Sequence, residues 1–129
     1  ALIQDWLAAP RHPNLIFRVA VREVEAWVLA HRGAFSQYFG VPEAKIPYDV
    51  DVIQDPKEFL VNLMRKSKKR RMRDDMVPRQ GSTAKVGPNY NEHLCRFVVT
   101  SWDKDQAKQH SRSLRRSLQV IEAFAPTWP

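Results

Sequence analysis

The sequence predicts an α+β chain that is mostly helical, with one or few strands and five or six helices. Three observations carry this. The run LIFRVAV at residues 15–21 is apolar and β-branched, bounded by Pro13 and Asn14, and has the composition of a buried strand. Apolar residues elsewhere recur at i, i+3, i+4 and i+7, the spacing that lines one helical face. Asp55-Pro56-Lys57-Glu58 is a helix start: an Asp cap, Pro at the first helical position, and Glu at the third as the other half of a capping box.

Taken in order, Leu2, Ile3, Trp6 and Leu7 predict a short helix closed by Pro10, ahead of the strand. Val24, Trp27, Val28 and His31 predict a helix directly after it. Residues 34–39 add another turn or two, with Gly40 as the C-cap, and a Pro-bounded loop follows to about Gln54. The helix opening at Pro56 carries Phe59, Leu60, Leu63 and Met64 and is expected to run unbroken through the basic residues to Asp74 or Asp75. VPRQGSTAKVGP at residues 77–88 is a loop. Tyr90, Leu94, Phe97 and Val98 mark a helix over residues 89–101, Asp103 can cap a short one, and the last begins near Ser111 or Ser113. Trp27, Phe59, Leu63, Leu94 and Phe97 are the expected core, and Cys95 is expected to pack there as a small apolar residue. A lone strand needs partners, so residues 1–129 read as a single domain or a fragment of one, whose sheet a second chain or a preceding segment completes.

The chain has 129 residues, 43% hydrophobic, enough for a core without disulfides, and Cys95 is its one cysteine. No apolar run approaches the roughly 20 residues a membrane span needs, and no signal peptide is visible. A cytoplasmic protein with no membrane partner is the expectation.

Charge is the most informative feature. Residues 65–85 hold Arg65, Lys66, Lys68, Lys69, Arg70, Arg71, Arg73, Arg79 and Lys85 against Asp74 and Asp75, a local +7 that equals the net charge of the whole chain. Such a concentrated patch attracts phosphates or acidic surfaces, and nucleic acid is the expected partner. No aromatic is interleaved with the run, which favours backbone contact over base stacking.

Glu23 and Glu25 stand where the strand passes into its helix, a place where α/β proteins often set functional groups, and either could ligate Mg²⁺. From the pattern alone an ordinary acidic helix N-terminus, favoured by the dipole, is the readier explanation. Asp49-Val50-Asp51 has the form of a paired metal ligand but sits in a loop. Gly81, Ser82, Thr83 and Lys85 superficially suggest a phosphate cradle without P-loop spacing. His12, His31, His93 and His110 show no ligand spacing with one another or with Cys95, so zinc is not expected.

RVAVREVEAWVLAHRGAFSQYFG (residues 18–40), DPKEFL (55–60) and STAKVGPNYNEHLCRFV (82–98) together resemble the uncharacterised prokaryotic family called domain of unknown function 4276. Glu25-Ala26-Trp27-Val28-Leu29-Ala30 and Asp55-Pro56-Lys57 are the most specific elements. That family is similar to Toprim-type α/β domains, which bind Mg²⁺ in topoisomerases, primases and nucleases. The resemblance implies that this chain is the C-terminal part of such a domain, with an early Glu and a D-x-D motif upstream of it. It further implies Glu25 as a catalytic or metal carboxylate, and Lys57 and Lys85 as phosphate contacts.

Two functions from different classes follow. One is the C-terminal part of a Mg²⁺-dependent nucleic-acid-processing protein, a nuclease if an enzyme, inactive as this chain alone because the D-x-D ligands are missing. The other is a non-catalytic module that docks on an acidic protein partner such as a co-encoded ATPase. Self-association is compatible with either.

Overall fold

The computed structural model describes residues 24–124; the helix expected near the N-terminus, the strand at 15–21, His12 and Glu23 lie outside them. The described residues are mostly helical and contain no strand. The helix-rich half of the sequence reading therefore stands.

Helix α1 covers residues 24–30 and α2 Arg32–Phe39, with α3 at Pro56–Met64 and α4 at Arg70–Met76. Helix α5 spans Tyr90–Thr100, the short α6 Lys104–Ala107, and α7 Arg112–Phe124. Single 3-10 turns at Glu43–Lys45, Val50–Val52 and Lys108–His110 punctuate the connections.

An aromatic cluster centres the core. Phe35 and Phe39 of α2 meet at 4.4 Å between ring centroids, and Phe97 of α5 stands 5.6 and 5.3 Å from them. Leu29, Leu60, Met64, Met76 and Ile46 are buried in the same cluster, each contributing roughly 1.5–3 kcal/mol by leaving water. Of the expected core residues, Leu63, Leu94 and Phe97 are buried, whereas Trp27 and Phe59 are half-buried against its edge. Cys95 is exposed, contrary to expectation. The buried stripe of α5 is Tyr90, Leu94 and Phe97, and one residue beyond Leu94 is about 100° round the helix, out of the stripe.

The helix expected to run unbroken from Pro56 to Asp74 or Asp75 is broken at residues 65–69. Gly40 ends α2 in the left-handed region (φ 66°), and the chain around Ser67 fastens onto that end. The buried Ser67 hydroxyl donates to Phe39 O (2.6 Å) and accepts from Lys69 N (3.0 Å), while Lys68 N donates to Gly40 O (2.8 Å). These bonds satisfy C-terminal carbonyls of α2 that the helix leaves without partners. They outweigh continuation of α3.

Asp51 is a second long-range tie. Its carboxylate accepts from Ser113 N (2.8 Å), Ser111 Oγ (2.7 Å) and Ser113 Oγ (3.0 Å), capping α7 from some 60 residues away in sequence. Trp27 Nε1 donates to Ser113 Oγ (2.8 Å) and Trp102 Nε1 to Trp27 O (2.9 Å), which joins α1 to the same network.

Candidate nucleic-acid interface

The site is built on two elements, α3 and the loop 77–86. Asp55 starts α3 by accepting from Glu58 N (3.1 Å), with Pro56 at the first position, as its sequence dictates. The reciprocal half of the capping box is not made: among the described residues the Glu58 carboxylate has no hydrogen bond or ion pair. Lys57, on the first turn, places Nζ 3.8 Å from Glu25 of α1.

The loop leaves α4 and returns to the same point. Gly87 N donates to Met76 O and Asn89 N to Asp75 O, both at 2.9 Å, so its two ends are clamped together as in an Ω-loop. A Cβ on Gly87 would lie 2.4 Å from Asp75 O, so only glycine allows the two chain segments of the clamp to come this close. His93 Nε2 meets Asp75 Oδ2 at 2.9 Å. Hydrogen bonding to His93 is the main influence holding the Asp75 carboxyl below its ordinary value; partial burial opposes it, and Asn89 and nearby positive charge assist. At the tip Ser82 N donates to Arg79 O (2.9 Å) and Gly81 takes φ 84°, a turn that suits glycine.

Between α3 and the loop lies an open groove of about 580 Å³. Lys57, Arg65, Arg79 and Lys85 line it, together with Asp55, Glu58 and Asn62. A second, shallower groove of about 650 Å³ shares Arg65 and Arg79 and adds Arg73, Asp74 and Asp75. Arg65 and Arg79 thus border both, and Arg65 is held by Asn62 Oδ1 (3.3 Å).

The remaining cations of the basic window are divided between fold and solvent. Lys69 Nζ donates to Tyr38 O (2.7 Å) and Arg73 Nη1 to Ser67 O (3.1 Å), so both stabilise the break after α3. Lys66, Lys68, Arg70 and Arg71 are exposed and line neither groove.

Glu25 is buried, with its side chain 10% exposed against 50% for Lys57. Beside it stands Tyr90, whose hydroxyl is buried without a hydrogen-bond partner among the described residues. Burial first, and then the Glu25 carboxylate, push the Tyr90 phenol far above its ordinary value, so it is neutral at any physiological pH. The sequence predicts Tyr90 only as a helix marker, because the Glu25 carboxylate beside it lies on α1, far away in the chain. Glu58 and Asn62 were missed as well, since nothing in a polar helix face says that it borders a groove.

Glu25 faces a lysine, and among the described residues no three His, Cys, Asp or Glu side chains gather into one cluster. Asp49 caps its own 3-10 turn through Asp51 N (3.0 Å) and Asp51 caps α7, so the D-x-D string is structural. His31 Nδ1 accepts from Asp103 N (3.0 Å), and His110 Nδ1 lies 2.8 Å from Tyr48 O. No helix among the described residues is long and apolar enough to cross a membrane.

Comparison of the chain with protein-family models, with curated proteins and with solved structures yields no match in any of the three.

Proposed function

We propose that this chain binds nucleic acid through its phosphate backbone and is the C-terminal part of a Toprim-like nucleic-acid-processing protein. The observation that carries the first half is the convergence of Lys57, Arg65, Arg79 and Lys85 on one groove. These cations lie apart in the sequence, on a helix, a break and a loop, and the clamp at Gly87 brings them together. No aromatic lines the groove, so phosphate and sugar are the parts of a strand it can grip.

The second half draws support from Glu25, a buried carboxylate that shares Lys57 with the groove. Metal-dependent phosphodiester hydrolysis sets carboxylates near the bound backbone; Glu25 supplies one, and no catalytic step is assigned to it. Mg²⁺ at such a site would complete its oxygen ligands from waters, substrate phosphates or further carboxylates.

Fluorescence anisotropy of labelled DNA and RNA across a salt series tests the reading. Affinity should fall linearly in log salt, with a slope of about −0.9 per duplex phosphate or −0.7 per single-strand phosphate contacted. Arg79→Glu with Lys85→Glu should lower the magnitude of the slope by about two contacts' worth, whereas Arg70→Glu with Arg71→Glu should change it little. No binding at low salt would overturn the proposal. Binding of an acidic protein that Arg70→Glu with Arg71→Glu abolishes, in a chain that binds no nucleic acid, would establish the interaction module in its place.

A further inference from the structure

We propose that the groove between α3 and the loop 77–86 takes a ribonucleotide unit, with phosphate on Arg79 and Lys85 and the 2′-hydroxyl on the Glu58 carboxylate. This rests on the phosphate-binding reading above and adds to it a choice of sugar.

The argument starts from the mixed charge of the groove. Two carboxylates, Asp55 and Glu58, share its walls with four cations. In a groove that served polyanion charge alone, each carboxylate would weaken binding by repelling phosphate. Asp55 has a structural reason to be there, since its Oδ1 caps α3. Glu58 has a weaker one. The helix dipole favours an acid on a first turn, but the exposed Glu58 carboxylate makes no hydrogen bond or ion pair among the described residues and lines the groove from α3, with Arg79 and Lys85 lining it from the loop.

A carboxylate accepts hydrogen bonds and donates none, so its match on a nucleic acid is a donor. The sugar of RNA supplies one that DNA lacks, the 2′-hydroxyl. The base is a poorer match because no ring lines the groove to hold it in place. The groove volume of about 580 Å³ lies inside the range of roughly 300–1,000 Å³ of small-ligand sites, which suits one or two nucleotides rather than the face of a duplex. The same unit occurs as a free nucleoside 5′-phosphate and within an RNA strand, and the groove reads the chemistry common to both.

The test measures anisotropy of labelled oligouridine and oligodeoxyuridine, which differ in the 2′-hydroxyl alone, against the wild-type chain and Glu58→Ala. Oligouridine should bind about tenfold tighter to the wild type, the discrimination expected of one hydrogen bond to a charged acceptor. Glu58→Ala should change the two ligands in opposite directions, weakening oligouridine and tightening oligodeoxyuridine as phosphate repulsion is relieved. A merely structural role for Glu58 would weaken both. Competition by uridine 5′-monophosphate stronger than by its deoxy analogue supports the proposal with the free nucleotide as ligand; preference confined to the oligomers supports it with the strand as ligand. Equal binding of the two oligomers to the wild type would overturn the choice of sugar and leave the phosphate reading intact. Binding of neither would remove both.

Discussion

Replacing Gly87 with alanine should destabilise the chain by about 2–4 kcal/mol. The new Cβ would sit 2.4 Å from Asp75 O, 2.6 Å from Met76 C and 2.8 Å from Asp75 C, all main-chain atoms and all inside the 3.0 Å that real Cβ contacts do not breach. A methyl group forced into close-packed surroundings costs about 1–3 kcal/mol. The backbone must also open by several tenths of an ångström, which strains the Gly87–Met76 and Asn89–Asp75 hydrogen bonds, worth roughly 0.5–1.5 kcal/mol each. Gly87 does not have a positive φ, so contact rather than conformational strain is the cause. Urea denaturation reads the effect as a lower midpoint at unchanged slope, and thermal melting as a fall of roughly 10 °C. Because the clamp positions Arg79 and Lys85, phosphate affinity should fall as well, even at temperatures where the variant is folded. A cost below about 0.5 kcal/mol would refute the reasoning. The clamp would then be loose enough to accept a side chain, and the loop could not present a fixed groove.

Other perturbations have outcomes of known sign. Tyr90→Phe should change stability at pH 7 by no more than about 1 kcal/mol, since the buried hydroxyl it deletes makes no well-formed hydrogen bond among the described residues although the Glu25 carboxylate stands beside it. The raised Tyr90 phenol favours the folded state fully below about pH 10 and loses that contribution as pH rises further, so wild type should lose stability relative to Tyr90→Phe in urea titrations above pH 10. Asp51→Ala should cost about 1–2 kcal/mol in urea denaturation, because it uncaps α7 and strands two serine hydroxyls; a neutral result would show that the remote cap is not used. Asp75→Asn should lower the urea midpoint at pH 7, and the difference from wild type should shrink as pH falls below about 4 through the depressed Asp75 value. A difference that instead grew on acidification would contradict the His93 contact as its source.

The parts of the fold that could be read from the sequence are those whose causes are local. Helix α3 begins at Pro56 because Asp55 and Pro56 act within one turn, and α5 follows from the spacing of Tyr90, Leu94 and Phe97. The break at 65–69 was hidden because its cause is remote: Ser67 bonds Phe39 O and Lys68 bonds Gly40 O, while helix propensity across Arg65 to Asp75 favours continuing. Asp51 was hidden for the same reason, since a loop aspartate gives no sign of which distant helix it caps. Cys95 was misplaced by one residue's rotation on a correctly identified helix. In the candidate site, charge points to Arg65, Arg79 and Lys85, and the family resemblance to Lys57, but the groove that collects them depends on a clamp between Gly87 and Met76. Glu58 and Asn62 had no separate signal, because an exposed polar residue reads alike on a groove wall or on an open face.

The basic window also shows why a charge count overstates a binding surface. Of its nine cations, Lys69 and Arg73 donate to the carbonyls of Tyr38 and Ser67, where they satisfy backbone acceptors left by the helix end and the break. Lys66, Lys68, Arg70 and Arg71 are exposed and line neither groove, on the break itself and the first turn of α4. Only Arg65, Arg79 and Lys85 remain for the groove between α3 and the loop, joined by Lys57 from outside the window. If all nine cations met phosphates of a duplex, the salt slope would approach about −8; four cations around the one or two nucleotides the groove admits hold it to about −3.6 at most. The break after α3, a tertiary accident in sequence terms, therefore decides how much of the charge can act on a ligand. A folded chain with a slope close to −8 would mean that the exposed face of α4, not the groove, meets the nucleic acid.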